Sequence, residues 1–505
     1  MRLNLQTLSS VPAAVARPDA AVTSAAVGIV HLGIGAFHRA HQAVYTDDAM
    51  ALAGGDWGIC GVSLKLPTVR DQLAPQDGLY SVRTVSRAGD AWRVVGAVRE
   101  VLFAPEQLRE VIARIARAET QIVSLTVTEK GYCANVGKRE PLWDHPDIAN
   151  DLAHADAPVS VLGVLVAGLH ERYRKRGAPL TVLCCDNLPE NGVVLEALVH
   201  RFSERLYPQM LPWLRESVRF PSVMVDRIVP ATKAGDRDDA KAALGVEDHG
   251  VVRAEPFGQW VIEDRFAAAR PAWDRVGVQF VADVKPFEKM KLRLLNGSHS
   301  LMAYLGYLAG YETIAETISD SAFEHAVRTL MREAETTLDP VSGTDLAAYQ
   351  AQLIERFGNP ANGHRCAQIA MDGSQKVPQR WLAVARERMA AGQGIDAIAL
   401  ATAGWVRYLY GKDELDQPIT IADPLAGEFA AIAAKHPYDA LSFADAVLRV
   451  EAVFGELGRN PAFAAPVKRL VSQLFRDGAS ATIAEFGSRK AAQSTPMGPT
   501  RTPWE

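Results

Sequence analysis

The first half of the chain alternates short apolar runs with amphipathic helical segments, and this alternation constrains the fold more than any other feature of the sequence. Strands are predicted at 27–32, 57–64, 82–85, 92–101, 121–128, 180–185 and 278–284. Helices are predicted at 38–53, 105–118, 161–176 and 191–206. A β–α alternation of this kind favours a parallel, doubly wound sheet covered by helices on both faces.

From about residue 285 the pattern becomes almost wholly helical, because β-branched runs nearly vanish. Helical spacing runs through 289–308, 314–335, 347–356, 379–391, 397–409, 424–434 and 461–477. We therefore predict an α/β protein, with an N-terminal Rossmann-type domain over 1–284 and a mostly α-helical domain over 285–487. Residues 488–505 carry Pro, Ser and Thr without periodicity, and we predict a flexible tail there.

Composition narrows the class of protein. The 505 residues are 48% hydrophobic and 22% charged with a net charge of −5, which describes a globular protein without a strong field for nucleic acid or an anionic membrane. The five cysteines form no C-x-x-C pair, which suits a reducing compartment and gives no metal-site spacing. No segment has the apolar run of a secretory signal or a membrane span. We expect a cytoplasmic, metal-independent monomer.

The first predicted strand ends in a partial dinucleotide-binding motif. Glycines at such a junction let the backbone approach a pyrophosphate, whose charge meets the amides at the helix N-terminus. The third glycine of G-x-G-x-x-G is replaced by a histidine, so an ordinary βα turn is the alternative. The residues predicted to bind the cofactor here are Gly33, Ile34, Gly35, Phe37, His38 and Arg39.

The second predicted strand lacks the acid that binds the ribose of NAD. It runs into Ser63-Leu-Lys65-Leu-Pro67, and the first carboxylate is Asp71. Lys65 and Arg70 could instead meet a 2′-phosphate. We predict NAD as the cofactor and leave NADP open.

Polar residues at regular spacing open the helical half. At the 100° per residue of an α-helix, Glu288, Lys291, Asn296 and His299 fall within an arc of about 140° on a helix that is otherwise apolar. A buried lysine whose pKa is lowered by desolvation can act as a general base. The alternative is structural: Lys291 pairs with Glu288, and His299 is a satisfied core residue.

A second polar cluster follows the predicted strand at 180–185. In Cys185-Asp186-Asn187-Leu-Pro-Glu-Asn191-Gly192 the side chains lie at the carboxyl end of a parallel strand, the edge at which open α/β sheets bind ligands. An asparagine there can donate an N–H to an oxyanion. Asp186 and Asn187 could equally cap a turn before the next helix.

Taken together, the motifs resemble the long-chain mannitol dehydrogenase family of polyol and sugar-acid dehydrogenases. The resemblance rests on G-I-G-A-F-H-R-A-H at 33–41, T-E-K-G-Y at 128–132, C-D-N-L-P-x-N-G at 185–192, V-D-R-I at 225–228, K-x4-N-x2-H at 291–299 and D-G-S-Q-K at 372–376. It implies a metal-free site between a Rossmann-type domain and a helical domain.

The resemblance also implies roles for individual residues. Lys291 is then the catalytic base, and Asn187 and Asn296 stabilise the oxyanion. His299 orients the substrate, and Glu288 assists proton exchange with solvent. Further candidates are Asp226 near the cofactor, and Arg365 and Lys376 as substrate contacts.

Members of the family act on polyols such as mannitol or on aldonates such as mannonate. Basic residues at His364-Arg365, Lys376 and Arg380 could bind the carboxylate of a sugar acid, with Lys130 beside another family motif. We therefore expect interconversion of D-mannonate and D-fructuronate, with mannitol/fructose or another polyol as the alternative. A non-catalytic nucleotide-binding protein is the remote alternative.

Overall fold

The computed structural model describes residues 1–494. The chain forms two compact units, Met1–Lys285 and a second that begins at Pro286. The division lies next to the predicted boundary after residue 284. The predicted tail differs from the structure in part, since residues 488–494 continue the last helix. The rest of that prediction, 495–505, lies outside the described residues.

The strands of the described residues all belong to the first unit. They are β1 (Val27–Leu32), β2 (Gly58–Ser63), β3 (Tyr80–Ser86), β4 (Gly89–Val95), β5 (Val98–Phe103), β6 (Ile122–Leu125), β7 (Ala134–Asn135), β8 (Glu140–Pro141), β9 (Leu180–Cys184), β10 (Val218–Arg219), β11 (Val223–Asp226), β12 (Val252–Ala254), β13 (Gln259–Glu263) and β14 (Gln279–Val281).

Six of these strands form the central parallel sheet. Their order is β10-β9-β6-β1-β2-β5, and every neighbouring pair is parallel. Counted along the chain within this sheet, the order is 3-2-1-4-5-6, that of doubly wound dinucleotide-binding folds. The strand order reverses between β1 and β6, where Val30 pairs with Val123. The predicted fold class is confirmed.

The sheet is buried on both faces, as its apolar runs require. Val30, Val62 and Val123 belong to one apolar core, whereas Ile29 and Ile59 belong to the other. The predicted strand at 278–284 is shorter and lies outside the main sheet, because β14 pairs with β13 in a separate three-stranded sheet.

Helices connect these strands. In the first unit the α-helices are Ala20–Ser24, Ala36–Ala40, Gln42–Ala53, Thr68–Leu73, Ala104–Ile115, Pro146–Ala153, Val161–Arg174, Asn191–Leu206, Leu211–Ser217 and Ala234–Leu244. The predicted helix at 38–53 is interrupted at His41, which has φ −126° and ψ −87°.

The second unit consists of helices joined by turns and loops in its described part. Its α-helices are Lys285–Met290 (whose first residue closes the first unit), Gly297–Leu308, Ile314–Ser319, Ser321–Glu335, Leu346–Phe357, Cys366–Ile369, Gly373–Val377, Ala383–Ala390, Asp396–Tyr408, Ala426–Lys435, Ala440–Leu448, Glu451–Phe454 and Pro461–Ser494. Two π-helical turns, Lys291–Asn296 and Pro378–Leu382, join consecutive helices. No helix within residues 1–494 has both the length and the apolar character needed to cross a bilayer.

Candidate active site

The turn after β1 can accept only glycine at its first position. Gly33 has φ +93°, and a Cβ there would lie 2.3 Å from the Thr126 carbonyl oxygen. Gly35 differs, because a Cβ on it would meet nothing nearer than the Gly33 oxygen at 3.8 Å. Gly35 also caps the helix Ala36–Ala40. The turn is therefore tightly packed at Gly33, against the residue that follows β6, and open at Gly35. A pyrophosphate that approaches the backbone closely requires such an open position.

A cavity of about 280 Å³ opens beside this turn. It is lined by residues following β1, β2 and β6 and by a loop and helix start beyond them: Gly33, Ile34, Gly35, Ser63, Leu64, Lys65, Leu66, Thr126, Val127, Gly131, Asp147, Val159, Ser160 and Val161. This is the crevice at the carboxyl ends of the strands, at the point where strand order reverses. Its position and the open glycine fit a dinucleotide.

We expect Gly33→Ala to weaken NADH binding at least tenfold and to destabilise the first unit by about 1–3 kcal/mol, since it imposes positive φ on a non-glycine residue beside a carbonyl. Gly245→Ala is the matched control, because Gly245 has φ +73° and a methyl group added there would have nothing within 4 Å. NADH fluorescence titration and thermal unfolding measure both effects. Equal NADH affinity in the two variants would contradict this account of the turn.

Of the other residues predicted to bind the cofactor at this turn, one lines the cavity and three do not. Ile34 lines the cavity and packs on Gly61, whereas Phe37, His38 and Arg39 are not among the lining residues described. His38 is buried and stacks on His31 with ring centroids 3.4 Å apart. Arg39 is buried and donates to the Gly250 carbonyl at 2.5 Å. The side chains of His38 and Arg39 thus pack within the first unit, and a cofactor contact from either stays a prediction.

His31, which the sequence did not single out, joins the ends of β1 and β6. Its Nδ1 lies 2.8 Å from Ser124 Oγ and its Nε2 lies 2.8 Å from Thr126 Oγ1. Thr126 in turn donates to the Gly33 carbonyl at 2.9 Å. Burial lowers the pKa of His31 to about 3, so the ring is neutral and supports the glycine turn through neutral hydrogen bonds.

This buried histidine predicts acid sensitivity. Because His31 stays neutral in the fold while the unfolded chain takes up a proton below its usual pKa of 6.5, its stabilising effect is complete above pH 6.5 and is lost toward pH 3. The loss is about 1.4 kcal/mol per pH unit. Urea unfolding between about pH 7 and pH 5 should show a shallower decline for His31→Gln than for the wild type. Identical slopes would contradict the assignment.

The end of β2 offers one cation to the cavity. Lys65 lines it, whereas Arg70 is held by Asp71 at 2.7 Å and Glu106 at 2.6 Å. Arg70 is thereby engaged, which leaves Lys65 as the candidate for contact with a ribose or a 2′-phosphate.

Asp186, which follows β9, holds the loop after β6 through hydrogen bonds to its side-chain carboxylate. Its carboxylate accepts hydrogen bonds from the backbone N–H groups of Val127 at 3.0 Å and Thr128 at 2.9 Å, and from the Tyr132 hydroxyl at 2.7 Å. Burial raises the pKa of this carboxyl. Thr128 has φ +67°, a strained conformation for a β-branched residue that these bonds hold. The Asp186 carboxylate therefore fixes the T-E-K-G-Y loop, and its hydrogen bonds reach that loop instead of capping the turn before the next helix, which was the alternative for this residue.

Two further residues of the C-D-N-L-P-x-N-G motif, Asn191 and Gly192, are fixed by contacts at the end of the motif opposite to Asp186. The Asn191 amide donates to the Asp186 carbonyl at 3.0 Å and to the Val223 carbonyl at 2.8 Å. A Cβ on Gly192 would lie 2.5 Å from the Phe220 oxygen. Asn187 is exposed between these anchored neighbours, so its position at the strand edge is set by side chains on both sides of it.

In the second unit, a π-helical turn carries the predicted base. The Gly297 N–H bonds to the Leu292 carbonyl, five residues back, which closes a turn one residue wider than that of an α-helix. Residues five apart then share a face, so Asn296 lies on the face of Lys291, closer than the α-helical projection predicts. Lys291, Asn296 and Glu288 are half-buried. The sequence predicts a buried lysine, and the structure leaves Lys291 partly exposed.

His299 lies one turn further along and is buried. Its ring centroid is 4.6 Å from that of Phe357 and 5.4 Å from that of His364. Burial, followed by the nearby charges of His364, Arg380 and Arg356, holds its pKa well below the usual range. Its Nε2 has no hydrogen-bond partner within the described part of the chain. A neutral imidazole with a free nitrogen can donate to, or accept from, a substrate oxygen.

The two predicted substrate contacts have different settings. Arg365 is exposed and pairs with Glu312 at 3.3 Å. Lys376 is half-buried, and its Nζ donates to the Met371 carbonyl at 2.5 Å. Burial, and then the charge of Arg380, lowers the pKa of Lys376 to about 8.

One group of potential metal ligands lies beside the cavity. Ligand atoms of Cys133, His145 and Asp147 lie within 4.8 Å of one another. Nδ1 of His145 already accepts the Asp147 N–H at 3.2 Å, and burial raises the pKa of the Cys133 thiol, which disfavours the thiolate that a metal needs. The absence of a metal cofactor stays a prediction.

A glycine turn at the reversal point of a 3-2-1-4-5-6 sheet, followed by a helical unit carrying lysine, asparagine and histidine on one segment, defines a Rossmann-type dehydrogenase. The comparisons are more specific. Residues 27–275 match the mannitol dehydrogenase Rossmann domain, and residues 283–475 match the mannitol dehydrogenase C-terminal domain. The chain belongs to the mannitol dehydrogenase family.

Named relatives include both substrate types. The chain is 44% identical to D-mannonate oxidoreductase of Escherichia coli, over 93% of this chain and 98% of the relative. It is 40% identical to mannitol 2-dehydrogenase of Phaeosphaeria nodorum, over 91% of this chain and 81% of the relative. A solved ternary complex of Pseudomonas fluorescens mannitol 2-dehydrogenase with NAD and D-mannitol aligns with a TM-score of 0.84 and 37% identity, over 97% of this chain and 100% of that one.

Proposed function

We propose that the protein is an NAD-dependent oxidoreductase that interconverts a secondary alcohol of a sugar acid and its ketone, with D-mannonate and D-fructuronate as the substrate pair. The observation that carries the chemistry is the segment Lys291–His299, where a π turn sets a lysine and an asparagine on one face beside a buried neutral histidine. The identity of 44% with a D-mannonate oxidoreductase supports the substrate.

The cofactor site is the cavity at the strand reversal. Gly33, Gly35 and the ends of β2 and β6 would hold the dinucleotide. Asp226, which is buried at the end of β11, is the further contact that we propose. When bound, the nicotinamide supplies the hydride acceptor or donor. Lys65 is the basic residue next to where the ribose would lie, so assays with NADH and NADPH, on wild type and Lys65→Ala, decide the preference. We expect NADH to be preferred, and Lys65→Ala to reduce residual use of NADPH only.

The remaining chemistry belongs to the chain's own side chains. Neutral Lys291 takes the proton from the substrate hydroxyl, and protonated Lys291 returns it during reduction. Asn187 and Asn296 donate N–H groups to the oxygen as negative charge develops there. His299 fixes the orientation of that oxygen, and Glu288, half-buried one turn before Lys291, passes the proton to solvent.

The carboxylate of a sugar acid needs a cation, and Lys376 is the candidate we favour. No carboxylate within residues 1–494 lies at ion-pair distance from its Nζ, whereas exposed Arg365 already has Glu312. A negatively charged ligand would compensate the half-buried ammonium. Mannitol/fructose is the second candidate, favoured by the relatives that are 37% and 40% identical.

Direct competition of D-fructuronate against D-fructose tests this assignment. We expect kcat/KM for fructuronate to exceed that for fructose by about 10–10²-fold, because hydrogen bonds to a charged group contribute ~1.5–3 kcal/mol. Lys376→Met should reduce that ratio, while Arg365→Met, at an exposed ion pair, should change it little. Equal or better use of fructose would overturn the sugar-acid proposal in favour of a polyol dehydrogenase.

The non-catalytic alternative is tested by the same assays. Tight NADH binding without activity on any polyol or aldonate would support it, but the reactive set Lys291, Asn187, Asn296 and His299 is intact. The cytoplasmic location and the monomeric state stay predictions.

A further inference from the structure

Arg380, one of the basic residues that the sequence offers for a sugar-acid carboxylate, lies next to the π turn of the proposed site, and the proposed function gives it no role. Its Nη1 donates to the Asn296 carbonyl at 3.1 Å and to Ser300 Oγ at 2.6 Å. No carboxylate of residues 1–494 lies at ion-pair distance from its guanidinium, and its Nε has no hydrogen-bond partner there. A largely desolvated cation without a counter-ion is costly. Both groups that Arg380 does bind, the Asn296 carbonyl and Ser300 Oγ, belong to the continuous helical stretch that carries Asn296.

Arg380 also comes from a second π turn that faces the first. Pro378 opens this turn, and the Ala383 N–H closes it by bonding to the Pro378 carbonyl five residues back. The next side chain, Trp381, donates Nε1–H to the Gly297 carbonyl at 3.1 Å. Two consecutive carbonyls, those of Asn296 and Gly297, therefore accept hydrogen bonds from two consecutive side chains of the facing turn.

These contacts matter because a π turn differs from an α-helical turn by a single extra residue between the hydrogen-bonded groups. If the segment Lys291–Asn296 relaxed to α-helical geometry, the residues on one side of it would rotate by about 100° relative to the other. That rotation would move Asn296 off the face of Lys291. Charge-assisted bonds to the Asn296 carbonyl oppose it.

We infer that Arg380 is a positioning residue, which holds the Asn296 amide in place for the oxyanion by anchoring the Asn296 carbonyl at the end of the π turn. This inference rests on the proposed role of Asn296. It predicts that Arg380 acts on catalysis through Asn296, and not by an independent contact with the substrate.

A double-mutant cycle tests the inference, on whichever sugar-acid or polyol substrate the wild type uses best. We expect Arg380→Met to lower kcat by about 10²-fold, as loss of one oxyanion donor does, with NADH affinity unchanged and the deuterium isotope effect on kcat increased. Arg380→Lys, which keeps one donor, should lose less. In the Asn296→Ala background, Arg380→Met should add less than a threefold further loss.

Arg386→Met is the control, because Arg386 lies shortly after Arg380 and donates to one backbone carbonyl, that of Phe454, at 3.1 Å. It should retain wild-type kcat. If Arg380→Met does not fold, the cycle is run with Arg380→Lys, and guanidinium ion is added to Arg380→Ala to restore kcat.

The outcomes separate the two proposals. Multiplying losses in the double mutant, or wild-type kcat in Arg380→Met with Asn296→Ala slow, would overturn the positioning role alone. Wild-type kcat in Asn296→Ala would overturn the proposed role of Asn296, and the positioning role with it.

Discussion

Lys291→Ala is expected to lower kcat for alcohol oxidation at neutral pH by about 10²–10⁴-fold, the usual contribution of a general base. NADH affinity should stay within about twofold, because the residues that line the proposed cofactor cavity all belong to the first unit, whereas Lys291 belongs to the second. Steady-state kinetics and NADH fluorescence titration measure the two quantities separately.

Lys289→Ala is the matched control on the same helical segment. Its ammonium pairs with Asp339 at 3.1 Å and with Glu387 at 3.8 Å, so it has a structural role at the surface. Such pairs contribute about 0–1 kcal/mol, and kcat should be unchanged. A Lys291→Ala enzyme with near-wild-type kcat would show that another group accepts the proton.

The second large effect is expected from the two asparagines. Asn187→Ala and Asn296→Ala should each lower kcat by about 10²–10³-fold with little change in KM, because each removes an N–H donor that acts mainly in the transition state. Asn135→Ala, at an exposed asparagine in β7, serves as control and should keep the wild-type rate.

A rise in KM at constant kcat would contradict the oxyanion role, since it would mean that the amides bind ground state and transition state equally. Loss of folding is detected independently by near-UV circular dichroism and NADH binding.

The architecture was predictable because it depends on local periodicity. Apolar runs separated by helical patterns predict a parallel sheet, and the G-I-G turn follows its first strand, which the structure confirms with the 3-2-1-4-5-6 order. The helix Asn191–Leu206 has the predicted bounds. Pro461–Ser494 is broken at Gly478, which has φ +79° and ψ 170°, directly after the predicted helix end at residue 477. The helical stretch that follows Gly478 was not predicted, because apolar periodicity ends before it.

The detail of the site was less predictable because it depends on contacts distant in sequence. The π turn at Lys291–Asn296 has no periodicity signal, so an α-helical projection misplaces Asn296. Asp186 binds a loop 58 and 59 residues away, and His31 binds residues 93 and 95 positions away. The reversal point between β1 and β6 was the signal that could have directed attention to Thr126 and Val127.

The central claim is that Lys291 accepts the substrate proton, and the pH dependence of kcat/KM for oxidation tests it most directly. In the wild type we predict a fall with unit slope at low pH, through one ionisation. In Lys291→Ala that limb should disappear, and added methylamine should restore activity in its neutral form. An unchanged acidic limb in the variant, with no response to amines, would contradict the account.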